Sequence, residues 1–299
     1  MTALAAAALT VGGAAEATAA GGPGVHVCTL ANQGSFQVPR TYDGDLLVTE
    51  GCSVANAHVR GDVLVADAPT GWQEWSTVRN SRVDGDVHVD GSADIVDNVV
   101  AGGVYLRTAT YATVTGTVAG DVRGTTLDLY VDADIGGDLD VRLPPAVDVR
   151  PDDIPPAAPR DDESVALRGT HVHGSVRVRG GWMSTAGSRV DGDLTLTGVA
   201  GIVLAETDVD GQVTVRDARA GVVLGGLRRS EEGPWEWLDD GLQRQSRYGA
   251  LTVEQSSGHV AVEHVDVVGA LACAGNANGV VVDPATTTVG GPRSGQCAG

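Results

Sequence analysis

Val83-Asp84-Gly85-Asp86-Val87-His88-Val89 is a phrase that the chain repeats: a β-branched residue, any residue, Gly, usually Asp, then apolar-x-apolar. It returns as Val59-Arg60-Gly61-Asp62-Val63-Leu64-Val65, as Ile135-Gly136-Gly137-Asp138-Leu139-Asp140-Val141 and as Val190-Asp191-Gly192-Asp193-Leu194-Thr195-Leu196. Its central glycines fall at 44, 61, 85, 102, 120, 137, 174, 192, 211 and 269, separated by 17, 24, 17, 18, 17, 37, 18, 19 and 58 residues. A unit of about 18 residues interrupted by insertions is the mark of a solenoid.

With each glycine as position zero, position −2 is Val or Ile in nine of the ten (among them Val59, Val83, Ile135 and Val190) and position +2 is Val or Leu (Val63, Val87, Leu139, Leu194). Position +4 follows suit, with Cys273 at the end and Gly124 as the exception. Spacing of two places these side chains on one face of a strand. The glycine between them predicts a corner, where a Cβ would not fit or φ must be positive. A second apolar run precedes each phrase, as in Ile95-Val96, Val165-Ala166-Leu167 and Ile202-Val203-Leu204. Each unit therefore holds two or three short strands and shows no helical period. One unit cannot bury its apolar row alone, whereas stacked units form a continuous column. The fold class expected is all-β: a single-stranded right-handed parallel β-helix with about 18 residues per coil. An antiparallel sandwich would need hairpin turns, which do not impose so fixed a register.

The repeat implies one elongated domain over residues 20–299. A formal charge of −19 argues against nucleic acid or an anionic membrane surface as partner, since both select basic surfaces. Residues 1–19 stand apart: Ala3 to Val11 is an apolar run, and Ala17-Thr18-Ala19 has the A-x-A form of a cleavage site. The segment reads as a secretory signal peptide, although no Arg or Lys precedes the apolar run. No transmembrane segment is expected. Four cysteines fit a secreted, extracellular protein. Of the three connectivities open to them, Cys28–Cys52 and Cys273–Cys297 are the most local, and each would close an end of the stack.

The G-D-V-x-V coils, with the ending Leu271-Ala272-Cys273-Ala274-Gly275-Asn276 and Gly295-Gln296-Cys297, resemble secreted actinobacterial β-solenoid proteins of uncharacterised function. In coil length the chain is also similar to bactofilin-type polymerising β-helices, and more distantly to pectate-lyase-like ones. The resemblance implies architecture and carries over no catalytic residue.

Three insertions leave the repeat, at 66–76, 143–163 and 227–248, and solenoid function commonly sits on such loops. The second is rich in Pro and Asp. The first carries Trp72 and Trp75, and the third carries Trp235, Glu236 and Trp237. Trp beside carboxylates suits stacking on sugar faces, so these five residues are the ligand-binding candidates for an extracellular polysaccharide or a cell-envelope component. The competing reading is that the indoles pack back onto the coil.

Aspartates at +1 form a ladder, and others at −1 widen it. Stacked carboxylates repel, and a hard cation relieves them, which makes Asp84, Asp86, Asp191 and Asp193 calcium candidates. Asp beside Gly is also ordinary turn chemistry. No other cofactor is expected. His171 and His173 straddle an inward Val172 and point outward, two metal donors that lack an identified third. Arg123, Asp140 and Arg177, at outward +3 positions, are the patch a polysaccharide lyase or glycoside hydrolase would use. Their alternative is a surface ion-pair array. The function expected is that of a non-catalytic extracellular binding or envelope protein, monomeric or weakly self-associating, with the β-helix enzyme as the other reading.

Overall fold

The computed structural model describes residues 24–49, 51–66, 75–144, 164–225 and 244–298. Apart from one 3-10 turn at Gln33–Phe36, its regular elements are β-strands. They pair in parallel, each with the strand one coil earlier and one coil later. The chain is a parallel β-solenoid of about 12 turns with roughly 19 residues in each.

Each coil has three faces. Face I holds short strands ending just before the glycine, such as Ala57–Val59, Arg82–Val83, His171–Val172 and Arg189–Val190. Face II follows the glycine, as in Leu139–Arg142, Val176–Arg179 and Leu194–Thr197. Face III completes the turn, as in Ser76–Arg79, Ser164–Arg168, Trp182–Ala186 and Gly201–Ala205. In Val104–Val118 and Val122–Ile135 the strand runs on around the corners. The positions expected to point inward do so: Val59, Val83, Ile135 and Val172 at −2, and Leu46, Val63, Val87 and Val122 at +2, are all fully buried. Removing such a column from water, at about 1.5–3 kcal/mol per side chain, is what holds successive coils together.

The Gly-Asp corner between faces I and II is stitched in an unforeseen way. The Gly61 N–H donates to the Gly44 carbonyl, and this bond recurs coil by coil as far as Gly211. The N–H at +2 points the other way, Val63 donating to the Asp86 carbonyl of the next coil. The N–H at +1 falls between these two directions, and the aspartate of the preceding coil receives it. Asp62 N–H donates to Asp45 Oδ1 (2.9 Å), Asp86 N–H to Asp62 Oδ1 (2.8 Å) and Gly103 N–H to Asp86 Oδ1 (2.8 Å). Asp121, Asp138 and Asp193 serve Asp138, Ser175 and Gln212 in the same manner. The glycine is required by its surroundings: a Cβ at Gly85 would lie 2.7 Å from the Gly61 carbonyl oxygen and press on Asp62 Oδ1. The corner between faces III and I uses other chemistry. A left-handed residue precedes an inward polar one, as in Asn80-Ser81 and Asp97-Asn98. There Ser81 Oγ accepts the Ala57 N–H at 3.0 Å, and Asn98 Oδ1 accepts the Ser81 N–H at 2.9 Å.

The 58-residue interval after Gly211 contains a further coil. Gly249 sits over Gly211, and the Gly269 N–H donates to its carbonyl at 2.7 Å. Gly291 then extends the column beyond Gly269, and Gly24 begins it, in register with Gly44. At Gly249 the phrase is disguised by a bulge. Tyr248 pairs with Val209 and Ala250 with Gln212, so one residue there faces two. The third insertion also ends earlier than 248, because Ser246–Glu254 is a strand with Ser246 and Tyr248 buried.

Both disulfides join the expected partners, Cys28 to Cys52 and Cys273 to Cys297. Cys28 and Cys273 hold inward +4 positions in a first and a penultimate coil. At the first end Phe36 and Tyr42 stack, with ring centroids 5.4 Å apart, over the core. Among the described residues no helix is long and apolar enough to cross a membrane.

Candidate functional site

Most of the tryptophan candidates lie outside the described residues: Trp72, Trp235, Glu236 and Trp237 all do, as does the signal-like segment 1–19. Trp75 is described, immediately before strand Ser76–Arg79. Its ring stacks on Tyr111, with centroids 4.4 Å apart, while 46% of the residue stays exposed. It both packs on the coil and presents a surface. The stack also reveals two partners that the sequence did not single out. Tyr111 is in register with Asp128, Asp128 with Ser164, and Ser164 with Trp182. Trp75, Tyr111 and Trp182 thus share one outward row of face III, the last of them three coils beyond Tyr111, or ~14 Å along the axis. The Trp182 indole lies over Gly201, and Ser164 donates to Asp128 in the same row at 2.6 Å.

Face I carries charged groups at −3 and −1. One arrangement occurs twice. Asp84 accepts from Arg82 Nε (2.7 Å) on its own strand and meets His58 Nε2 (2.8 Å) on the coil before. Asp191 accepts from Arg189 Nε (2.8 Å) and meets His171 Nε2 (3.1 Å) in the same relation. These contacts hold both carboxyls below their ordinary range. The bond from arginine contributes most and that from histidine next, and Asp191 is brought down to about 2.

Beyond that shared trio the second copy has two extra donors. Where the first has Arg60, paired with Asp43, the second has His173. Where Thr41 precedes His58, Asp134 precedes His171. His173 Nε2 lies 3.0 Å from Asp134 Oδ1, and its Nδ1 lies 3.1 Å from Asp191 Oδ2. His171 Nδ1 lies 3.9 Å from Asp134 Oδ1, and the two imidazole centroids are 4.0 Å apart. Asp134, His171 and His173 thus bring three metal-ligating atoms within 4.8 Å of one another. Asp134 is the third donor that the sequence did not disclose. It lies one coil back, across the second insertion.

All four calcium candidates already meet donors within the chain. Asp86 and Asp193 receive backbone N–H groups, and Asp84 and Asp191 receive arginine and histidine. Arg123, Asp140 and Arg177 do stand together, in register on three successive coils of face II, and each is paired with neighbouring charges. Arg123 and Arg177 both approach Asp138 Oδ2, each at 3.6 Å, whereas Asp140 meets Arg179 at 3.4 Å. That is an ion-pair array along face II, each pair of small worth.

No family model, no curated protein and no solved structure matches this chain.

Proposed function

We propose that this chain is an exported, non-catalytic binding rod that holds a linear glycan along face III. The observation that carries the reading is the alignment of Trp75, Tyr111 and Trp182 in one outward row. Indole and phenol rings offer an apolar face and a polar edge, which suits the alternating character of a sugar chain. Parallel stacking fixes their separation, so a polymer lying along the axis meets them without reordering the protein. Two disulfides at the ends of the stack support a role in an oxidising compartment.

A glycan-array screen of the full chain, run with calcium and with chelator, tests the reading. Binding that falls at least tenfold in both Trp75→Ala and Trp182→Ala supports face III. Binding lost only in the Trp235→Ala/Trp237→Ala variant moves recognition to the third insertion and overturns it. Release of reducing or unsaturated ends from a bound polysaccharide refutes the non-catalytic part.

A further inference from the structure

We propose that Asp134, His171 and His173 form a binding site for a divalent transition-metal ion, with Asp191 orienting the two imidazoles. The site stands on face I and is independent of the glycan reading. Its logic begins with Asp191. Arg189 donates to one side of this carboxylate, and both imidazoles approach it, His171 through Nε2 and His173 through Nδ1. An ionised carboxylate only accepts, so each ring turns an N–H toward Asp191. The remaining nitrogens, His171 Nδ1 and His173 Nε2, then face Asp134 Oδ1 at 3.9 and 3.0 Å. At the 3.0 Å of His173, a bare nitrogen lone pair and a carboxylate oxygen cannot face each other without a positive centre between them, a proton or a metal ion.

The spacing fits the metal. Zinc bound at about 2.0–2.2 Å to imidazole nitrogen and carboxylate oxygen sets neighbouring donors ~3.3 Å apart in tetrahedral geometry. The observed separations bracket that value. A carboxylate that holds the far N–H of a ligating histidine is the usual outer-shell partner of such sites, fixing tautomer and ring plane. Two imidazoles with one carboxylate favour zinc, copper, nickel or cobalt over calcium, which takes oxygen donors. All three side chains are partly exposed, His173 at 46% and Asp134 at 57%, so solvent reaches the remaining coordination position.

His58 supplies an internal control. It keeps the aspartate and the arginine of the trio, but has Arg60 and Thr41 in place of the two extra donors. The full chain, stripped with chelator, is titrated with zinc by calorimetry. One zinc per chain is expected, with binding at least tenfold weaker in His171→Ala/His173→Ala and in Asp134→Ala, and unchanged in His58→Ala. Because these groups stand on the surface, unfolding of the variants is checked by circular dichroism and is not expected. Asp191→Asn tests the positioning role: zinc affinity falls roughly 10–100-fold while the stoichiometry stays at one. Nitrogen-15 shifts of the His171 and His173 rings in zinc-free Asp191→Asn depart from the tautomers named above. Zinc binding equal in wild type and the double histidine variant overturns the proposal. So does calcium binding at these residues in place of zinc.

Discussion

Replacing Asp62 by Ala removes one stitch from the Gly-Asp corner without touching the apolar column. Asp62 Oδ1 accepts the Asp86 N–H at 2.8 Å, and the neighbouring amides are bonded elsewhere, Gly85 to the Gly61 carbonyl and Val87 to the Gly103 carbonyl. With the carboxylate gone, the Asp86 N–H loses its acceptor at a half-buried corner. A hydrogen bond to a charged group is worth about 1.5–3 kcal/mol, and partial exposure places this one near the lower end, ~1.5 kcal/mol. Asp62→Asn keeps an oxygen at the same position and should lose less than ~1 kcal/mol. Urea unfolding measures the totals, and hydrogen exchange at Asp86 localises them: ~1.5 kcal/mol corresponds to roughly tenfold faster exchange there. Coils several turns away should exchange as before, because a solenoid couples mainly nearest neighbours. If Asp62→Ala and Asp62→Asn destabilise equally, the loss is one of charge and the acceptor argument fails. If neither changes exchange at Asp86, no stitch exists.

Each disulfide closes a loop of 24 residues, so the Cys28→Ser/Cys52→Ser variant should lose about 3.4 kcal/mol of chain-entropy stabilisation, read as exchange that rises first in Gly24–Cys28 and Arg40–Tyr42. Tyr42 is buried, its hydroxyl meets no hydrogen-bond partner among the described residues, and burial raises its pKa. Tyr42→Phe should therefore leave the melting temperature unchanged or raise it, and a clear fall would show that the hydroxyl is satisfied. Asp191 titrates lower folded than free, so its contacts stabilise fully above pH 3.8 and are lost as pH falls toward about 2. The gap between urea midpoints of wild type and Arg189→Gln should accordingly close across that window, and a gap that widens there has the wrong sign.

The column of Val59, Val83 and Ile135, its period and both disulfide pairings were legible because they depend on spacing within the chain. What escaped depends on register between coils. The outward aspartates could be seen, but their duty could not: Asp62 bonds an amide 24 residues later, and nothing local marks Asp86 as its partner. Gly249 was hidden by a bulge that sets Tyr248 where the phrase has a different residue, and Gly291 is followed by Pro292 instead of Asp. Proline has no N–H, so no carboxylate on the coil before is needed to receive one. Trp182 and Asp134 were missed for a shared reason. Each is tied to its partners across residues 143–163, and only the pairing of Ser164 with Asp128, and of His171 with Asp134, restores the alignment.

The same dependence on register gives a constructive test of the metal site. In a solenoid, an outward position on one coil lies about 4.8 Å from its counterpart on the next, whatever the intervening loop. A site is then the sum of a few independent choices at equivalent positions. His58, Arg82 and Asp84 already reproduce His171, Arg189 and Asp191 in contacts and in place. Two donors are missing from the first site: Thr41 stands where the other has Asp134, and Arg60 where it has His173. Thr41→Asp with Arg60→His should install the missing donors on a backbone that already aims His58 correctly. Zinc stoichiometry should rise from one to two per chain, and His58→Ala, silent in the native background, should return it to one. Release of Asp43 from Arg60 adds a carboxylate nearby and works in the same direction. A count that stays at one would mean that ring orientation, set by more than the trio, decides whether zinc binds, and the role assigned to Asp191 would fall with it.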